Sequence, residues 1–218
     1  MISFRRSAVL AAAALVLAGG FASFGGAALP GAADPARVAA GTYKADPSHT
    51  MVAWRVNHLG FSDYFGLFGS ISGTLTIDPA HPDAASVTMA IPVSRLTTVD
   101  KALTARLLLK SIGGRLDYFG ASPPDASFVS TKVTPAADGK NATVEGKLTL
   151  NRVTRPISIA AEFTGAGKNP VTLRQTIGFR GKTTIKRSEF GVNADLGLVS
   201  DEVDLSISAA FELSGKAN

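Results

Sequence analysis

The chain of 218 residues contains no cysteine, and this absence removes several kinds of chemistry. Disulfides, cysteine nucleophiles and thiolate metal ligands are all excluded, so packing and hydrogen bonds alone must hold the fold. Histidine is also scarce, with three residues, His49, His58 and His81. They form neither an H-x-x-x-H pair nor a metal-ligand spacing with a carboxylate. We therefore expect no metal and no other cofactor.

Clusters of basic residues are missing as well. The formal net charge is +5 and the sequence pI about 9.6, yet lysine and arginine are spread singly and are not interleaved with aromatic residues. This distribution excludes a nucleic-acid groove. A mildly basic surface allows transient contact with a membrane surface that carries anionic headgroups, although a solvated strand face is the simpler interpretation.

The N-terminal forty residues have the layout of a secretory signal peptide. Two arginines precede an uncharged run from Ser7 to Leu29 that is rich in Ala, Val, Leu and Gly. We expect a signal peptide and short linker over 1–40, a mature start within 27–41, and one domain over 41–218 in the periplasm. The alternative is an uncleaved membrane anchor, but the many Ala and Gly residues make this run a poor span.

The stretch of residues 46–77 shows the period of two that β-strands require. Two runs, 52–58 and 71–77, each place apolar residues on one face and polar residues on the other. Between them lies a corner rich in glycine and aromatic residues, Gly60–Gly69. We expect the two strands to meet at this corner and to begin an antiparallel barrel whose apolar interior is the functional site.

Similar alternation continues through most of the chain. Besides a short entry strand at 42–46, strands are predicted in eight places, at 52–58, 71–77, 87–93, 126–134, 144–150, 157–163, 171–185 and 203–211. Each strand is polar on one side, which favours an all-β fold with a single closed, eight-stranded antiparallel barrel. A two-sheet sandwich fits the same pattern and is the alternative.

One segment interrupts the strands. Asp100 is a good N-cap for a short α-helix that runs to about Lys110, and the stretch Ile112–Pro124 is irregular and punctuated by glycine and proline. We expect helix and loop to close one end of the barrel or to form a lid over its mouth.

Small residues fall at four predicted inward positions, Gly73, Gly146, Ala161 and Ala209. An eight-stranded barrel either fills with side chains or holds one small ligand, and small inward residues would leave room along its axis. The alternative is that they only relieve strand bends.

Six short motifs recur in order over the predicted mature chain: Tyr43-x-x-Asp46-x-x-His49 with Val52–His58, Gly66-x-Phe68-Gly69, Gly146-x-Leu148-Thr149, Val153–Pro156, Arg187–Gly191 and Ser200–Val203. Together they resemble the YceI-like family of exported lipid-binding proteins. The resemblance implies a lipocalin-like barrel with a long apolar pocket for a polyisoprenoid or another long-chain amphiphile, and no metal. Arg152 departs from the family pattern, which usually has glycine there.

The candidate ligand-binding residues are mainly apolar side chains on the inward strand faces. Two more, Phe68 and Phe119, belong to segments that carry the resemblance. For any one of these residues, packing against its neighbours is the alternative role. The apolar set is Trp54, Val56, Phe68, Leu75, Met89, Ile91, Phe119, Phe128, Phe163, Phe179, Phe190, Leu205 and Phe211.

Two polar residues complete the set. His58 lies at a strand end, where it can bond a ligand headgroup or, as a structural histidine, a loop carbonyl. Arg187 can meet a phosphate or carboxylate at the mouth, or pair with Glu189 or Asp46 to close the barrel. Haem ligation by His58 is a further alternative, which an absorbance spectrum tests.

These patterns predict a non-catalytic carrier whose partner is a long-chain isoprenoid or fatty amphiphile. The alternative is a hydrolase or isomerase that acts on such a lipid through His49 or His58, although no G-x-S-x-G elbow is present. A third possibility is a structural module with a filled barrel. A homodimer remains open in each case.

Overall fold

The computed structural model describes residues 28–109 and 118–216. Most of the predicted signal peptide and residues 110–117 of the predicted excursion lie outside them. The described chain forms eleven strands and one α-helix: β1 (Gly41–Ala45), β2 (Met51–His58), β3 (Ser62–Phe68), β4 (Ser72–Ile77), β5 (Ser86–Ile91), β6 (Leu96–Thr98), α1 (Lys101–Leu107), β7 (Ala126–Pro135), β8 (Asn141–Leu150), β9 (Val153–Lys168), β10 (Gln175–Lys186) and β11 (Glu202–Lys216). Short 3-10 helices lie at Pro35–Arg37, Pro82–Ala84, Val93–Arg95 and Arg187–Phe190.

Eight of the strands close into a ring. Their order is β1-β4-β5-β7-β8-β9-β10-β11, every pair is antiparallel, and β11 pairs back to β1. The predicted eight-stranded barrel is therefore confirmed, and the two-sheet sandwich is not the fold. Closure leaves each of these strands with two neighbours, which suits strands that are polar on one face and apolar on the other.

The long strand β11 is shared between two neighbours on one of its sides. Its residues Phe211–Lys216 pair with β1, whereas Asp204–Ser208 pair with β2. Strands β3 and β6 follow β2, so three further strands extend this half of the barrel. Among the described residues, β6 pairs only with β3 and forms no ladder with β5, which leaves a seam in the wall.

The predicted corner at Gly60–Gly69 is wrong in its detail. Strand β3 occupies most of it, pairing with β2, while β4 pairs with β1 and β5. The turn itself is confined to Leu59–Phe61, where Leu59 and Gly60 have φ of 57° and 74°. Positive φ at both central positions is the geometry of a tight hairpin, so three residues suffice to reverse the chain.

The predicted helix begins as expected and ends early. The Asp100 carboxylate accepts a hydrogen bond from the backbone N–H of Ala102 at 2.8 Å, which is the N-cap interaction. The helix ends at Leu107, whose side chain is buried. The buried Leu107 side chain helps to hold α1 over the barrel.

The segment before β1 is attached to the barrel. Ala32 and Ala166 exchange two backbone hydrogen bonds of 3.1 and 2.9 Å, and the Tyr43 hydroxyl donates to the carbonyl of Ala39 at 2.7 Å. Val38 packs against buried side chains of β1 and β10. Residues that the sequence assigns to a linker thus form part of the folded unit.

The buried side chains form two clusters. One, which we call the end cluster, closes the barrel end where β9 passes into β10; it comprises Tyr43, Ala45, Leu75, Phe163, Ala166, Ile177, Ala209 and Phe211. The other, the wall cluster, comprises Phe128, Leu148, Ile185, Phe190 and Val203. Partly buried apolar residues between them face the barrel axis.

Candidate functional site: an apolar cavity in the barrel

A cavity of about 540 Å³ lies inside the barrel. Its volume falls within the range of roughly 300–1,000 Å³ that is typical of small-molecule sites. Side chains from β2, β3, β5, β7, β8, β9, β10 and β11 form the wall, and α1 with Tyr118 and Phe119 covers one end. Aliphatic and aromatic groups predominate, so the interior is suited to an apolar ligand.

Twelve of the fifteen candidate residues line this cavity. They come from strands far apart in sequence, which the closed ring brings to a common interior. The twelve are Trp54, Val56, His58, Phe68, Met89, Ile91, Phe119, Phe128, Phe179, Arg187, Leu205 and Phe211.

Three of the candidates, Leu75, Phe163 and Phe190, do not line the cavity. Leu75 and Phe163 point inward but belong to the end cluster, below the floor of the cavity. The Phe163 ring packs edge-on against Phe179, at 5.8 Å between ring centroids. Phe190 lies in a 3-10 helix outside the strands and is fully buried in the wall cluster.

Glycines let large side chains lie flat on the wall. A methyl group added at Gly73 would overlap Met89, one at Gly146 would overlap Phe128, and one at Gly66 would overlap the Trp54 indole. The room predicted at Gly73 and Gly146 is therefore filled by neighbouring side chains. Two other small residues do border the cavity directly, Ala161 and Ala209.

Trp54 and Tyr64 form a polar spot on this wall. Trp54 pairs with Gly66 across β2 and β3, and Val56 pairs with Tyr64, so the two rings share one face, 6.4 Å apart. Within residues 28–109 and 118–216, the Trp54 Nε1 and the Tyr64 hydroxyl are both buried and lack a hydrogen-bond partner. The sequence analysis missed Tyr64, because it lies in the stretch assigned to the corner.

One end of the cavity carries charged groups. The Asp195 carboxylate accepts hydrogen bonds from the Tyr118 hydroxyl at 2.7 Å and from Arg106 at 3.0 Å. Burial, and then the hydrogen bond to Asp195, raises the pKa of Tyr118 to about 12. The Arg106 guanidinium also lies 5.7 Å from the centre of the Tyr118 ring. These three residues tie α1 to the segment between β10 and β11.

Arg187 is buried, and its guanidinium is almost fully engaged. It donates to the carbonyls of four residues of the following loop, at distances between 2.6 and 2.9 Å: Val192, Ala194, Val199 and Ser200. Within the described chain it pairs with neither Glu189 nor Asp46, so both predicted ion pairs are absent. A guanidinium has five N–H donors, so these four hydrogen bonds leave Arg187 one donor for another partner.

The histidines are dispersed. His58 lines the mouth of the cavity, 6.4 Å from the Tyr64 ring, and its backbone bridges to Val199. His49 is exposed outside the cavity, where its Nδ1 lies 2.6 Å from an Asp46 carboxylate oxygen. In residues 28–109 and 118–216 no three metal-ligating side chains gather at one point.

The ring of strands and its apolar interior define the class of antiparallel barrels that can enclose one small ligand. Within that class, the family model of the YceI-like domain matches residues 43–211, and the chain belongs to this family. No helix in the described part of the chain is long and apolar enough to span a membrane.

Relatives in several bacteria match over most of their length. Protein YceI of Escherichia coli O6:H1 is 38% identical over 173 residues, covering 78% of this chain and 85% of the relative. A UPF0312 protein of Pseudomonas aeruginosa is 35% identical over 176 residues, with the same coverage.

Solved structures share the fold. BcnA of Burkholderia cenocepacia superposes with a TM-score of 0.63 at 26% identity, covering 76% of this chain and 98% of that one. A polyisoprenoid-binding domain from Saccharophagus degradans superposes with a TM-score of 0.55 at 13% identity, covering 78% and 98%.

Proposed function

We propose that the protein is a periplasmic carrier that holds a polyisoprenoid or another long-chain amphiphile in the barrel cavity without transforming it. The observation that carries the proposal is the cavity of about 540 Å³ with its predominantly apolar lining. Burial of each ligand methylene contributes roughly 0.8 kcal/mol before the costs of binding. An apolar chain therefore supplies most of the affinity.

Two further facts support the same function. The chain belongs to the YceI-like family, and a structural neighbour from Saccharophagus degradans is described as a polyisoprenoid-binding domain. In the part of the chain that the structure describes, His58 of the cavity makes no hydrogen bond to a serine or threonine hydroxyl, the contact that nucleophilic catalysis uses. His49, one of the two residues considered for catalysis, lies outside the cavity.

The test is native mass spectrometry of protein purified from its own periplasm, followed by organic extraction and identification of any released lipid. The structure offers a matched pair of variants on β9. Ala161 borders the cavity, whereas Ala160 is exposed on the outer face of the same strand. Ala161→Trp places an indole in the ligand volume, and Ala160→Trp adds the same group to the solvent side.

We expect a stoichiometric lipid in the wild type and in Ala160→Trp, and its loss from a folded Ala161→Trp. A protein that carries no lipid and takes up no prenyl lipid in vitro would contradict the carrier function. Turnover of a bound lipid that disappears in His58→Ala would instead favour the catalytic alternative.

A membrane contact fits this function. Exposed apolar side chains surround the mouth of the cavity, and we call Leu59, Phe61, Leu196 and Leu198 the mouth rim. Leu59 donates a backbone hydrogen bond to Leu198, and Leu196 follows the Asp195 that contacts α1. Such a rim allows a lipid to pass from a bilayer into the barrel with little exposure to water.

Vesicle flotation tests this contact. Phe61→Ser with Leu198→Ser should reduce binding to phosphatidylglycerol vesicles. The control is Val171→Ser with Leu173→Ser, two exposed residues in the β9–β10 turn at the opposite end of the barrel. If the rim variant instead dissociates a homodimer in sedimentation and leaves flotation unchanged, the rim is a subunit interface.

We also propose that residues 1–27 are the cleaved leader. Ala32 and Val38 contribute hydrogen bonds and packing to the barrel, so cleavage near Ala27 preserves these contacts whereas cleavage after Ala40 removes them. The intact mass of the exported protein distinguishes the two positions and also reveals an uncleaved anchor.

A further inference from the structure

The unpartnered polar atoms of the cavity wall carry information about the ligand. Buried polar groups are almost always hydrogen-bonded, because an unmade bond in an apolar environment costs free energy. Two exceptions lie side by side, the Trp54 Nε1 and the Tyr64 hydroxyl, each without a partner in the part of the chain that the structure describes. Both residues line the cavity.

The local sequence holds both rings in place. The Trp54 indole lies over Gly66, where any side chain would overlap it, so the glycine creates the space that the indole occupies. Tyr64 is diagonal to Trp54 across the β2–β3 pair, and the ring centroids are 6.4 Å apart. The two polar atoms are therefore fixed parts of the wall, within a small area of it.

The chemistry of these atoms limits what they can bind. The indole N–H is a donor only, and the phenol hydroxyl donates or accepts. Around them the wall is apolar, with Val56, Leu205 and Phe68 among the lining residues. A formal charge would be costly there, whereas a neutral oxygen is satisfied by one or two neutral donors.

We infer that Trp54 and Tyr64 form a hydrogen-bonding subsite for a neutral oxygen of the lipid, such as a hydroxyl or carbonyl group. This inference rests on the proposed carrier function and adds the chemical class of the cargo: an oxygenated lipid, not a pure hydrocarbon and not a lipid whose affinity comes from an anionic headgroup. Arg106 and Asp195 also line the cavity, but they bond each other, and within the described chain neither bonds Trp54 or Tyr64.

A matched set of isoprenoids tests the subsite. Farnesol and α-farnesene have the same number of carbons; farnesol carries a terminal hydroxyl, whereas α-farnesene lacks it and has one more double bond. Farnesyl phosphate replaces the hydroxyl with an anion. Trp54 is the single tryptophan of the chain, so its fluorescence reports binding at the subsite directly. Tyr64→Phe removes only one hydroxyl. Tyr43→Phe is the control, because the Tyr43 hydroxyl bonds Ala39 outside the cavity.

We expect farnesol to bind roughly three- to tenfold more tightly than α-farnesene, the size of one net hydrogen bond. This preference should fall in Tyr64→Phe, which keeps only the Trp54 donor, and persist in full in Tyr43→Phe. Unliganded Tyr64→Phe should melt at the same temperature as the wild type or higher, since it loses no bond, whereas Tyr43→Phe should melt lower.

Three results would overturn the inference. Equal binding of farnesol and α-farnesene by the wild type, or a preference that Tyr64→Phe does not reduce, contradicts the subsite and leaves the carrier function intact. Much tighter binding of farnesyl phosphate, unaffected by Tyr64→Phe, places polar recognition elsewhere. Failure of all three ligands to bind overturns the carrier function and the subsite together.

Discussion

Replacement of Arg187 by methionine should destabilise the protein strongly. The guanidinium is buried and donates four hydrogen bonds to carbonyls of the loop between β10 and β11. Methionine fills a similar volume but donates nothing. The carbonyl groups of the loop would then stay buried, but they would lose the hydrogen-bond donor that holds them together.

The magnitude follows from these four bonds. Each contributes about 1 kcal/mol net, somewhat more because the donor is charged, and less where the carbonyl regains water. We expect a loss of roughly 3–5 kcal/mol, because four carbonyls lose their donor. For a chain of this size it corresponds to a fall of roughly 6–20 °C in Tm.

Thermal denaturation by circular dichroism measures the effect. The matched control is Arg180→Met on β10, since Arg180 is exposed and its ion pair with Glu162 at 3.5 Å contributes little. Limited proteolysis should cut Arg187→Met first within residues 192–200. A Tm within 2 °C of the wild type, or no new cleavage there, would refute the conclusion that Arg187 holds this loop. In that case its charge would be free to serve a ligand.

Three more changes test other parts of the structure. Arg152 has φ of 66° in the β8–β9 turn, a strained backbone conformation for a residue with a side chain. Arg152→Gly should therefore raise the free energy of unfolding by about 0.5–1 kcal/mol in urea denaturation. A lower free energy of unfolding would contradict strain at Arg152. Gly66→Ala should cost about 1–3 kcal/mol in the same assay and shift Trp54 fluorescence, because the methyl group displaces the indole. The pKa of Tyr118 is raised to about 12, so its stabilising contribution is present below pH 10 and is lost as the pH rises through about 12. Tyr118→Phe should remove the latest-titrating step of the ultraviolet phenolate absorbance, and an unchanged curve would contradict this assignment.

Hydrophobic periodicity predicted strands with one apolar face and favoured a barrel, but a two-sheet sandwich fitted the same pattern. Strands with a repeat of two have one apolar face, and a closed ring is the simplest way to bury it. Strand β3 escaped this reasoning, because Gly66 interrupts the apolar face and Ser62 and Asp63 resemble a loop. The glycine makes sense only beside the indole that covers it, and that indole lies on another strand.

The sequence predicted which side chains face the barrel interior. It did not predict how far along the barrel each of them lies. Alternation places Leu75 and Phe163 on the inward face as surely as Phe179, yet only the three-dimensional stacking assigns the first two to the end cluster. Hydrogen-bond partners that are backbone atoms are equally hard to predict from the sequence. Arg187 binds carbonyls, which every residue carries, so no pattern of side chains could have identified them.

The pairing of β11 with both β1 and β2 also constrains the order in which the chain can fold. This strand joins β10 on one side and both β1 and β2 on the other, and it is the last strand along the chain. During synthesis the first two strands therefore wait for a partner more than 140 residues away. Such long-range pairing is slow. The barrel cannot close before residues 202–216 have been synthesised, because β11 completes the ring between β10 and β1.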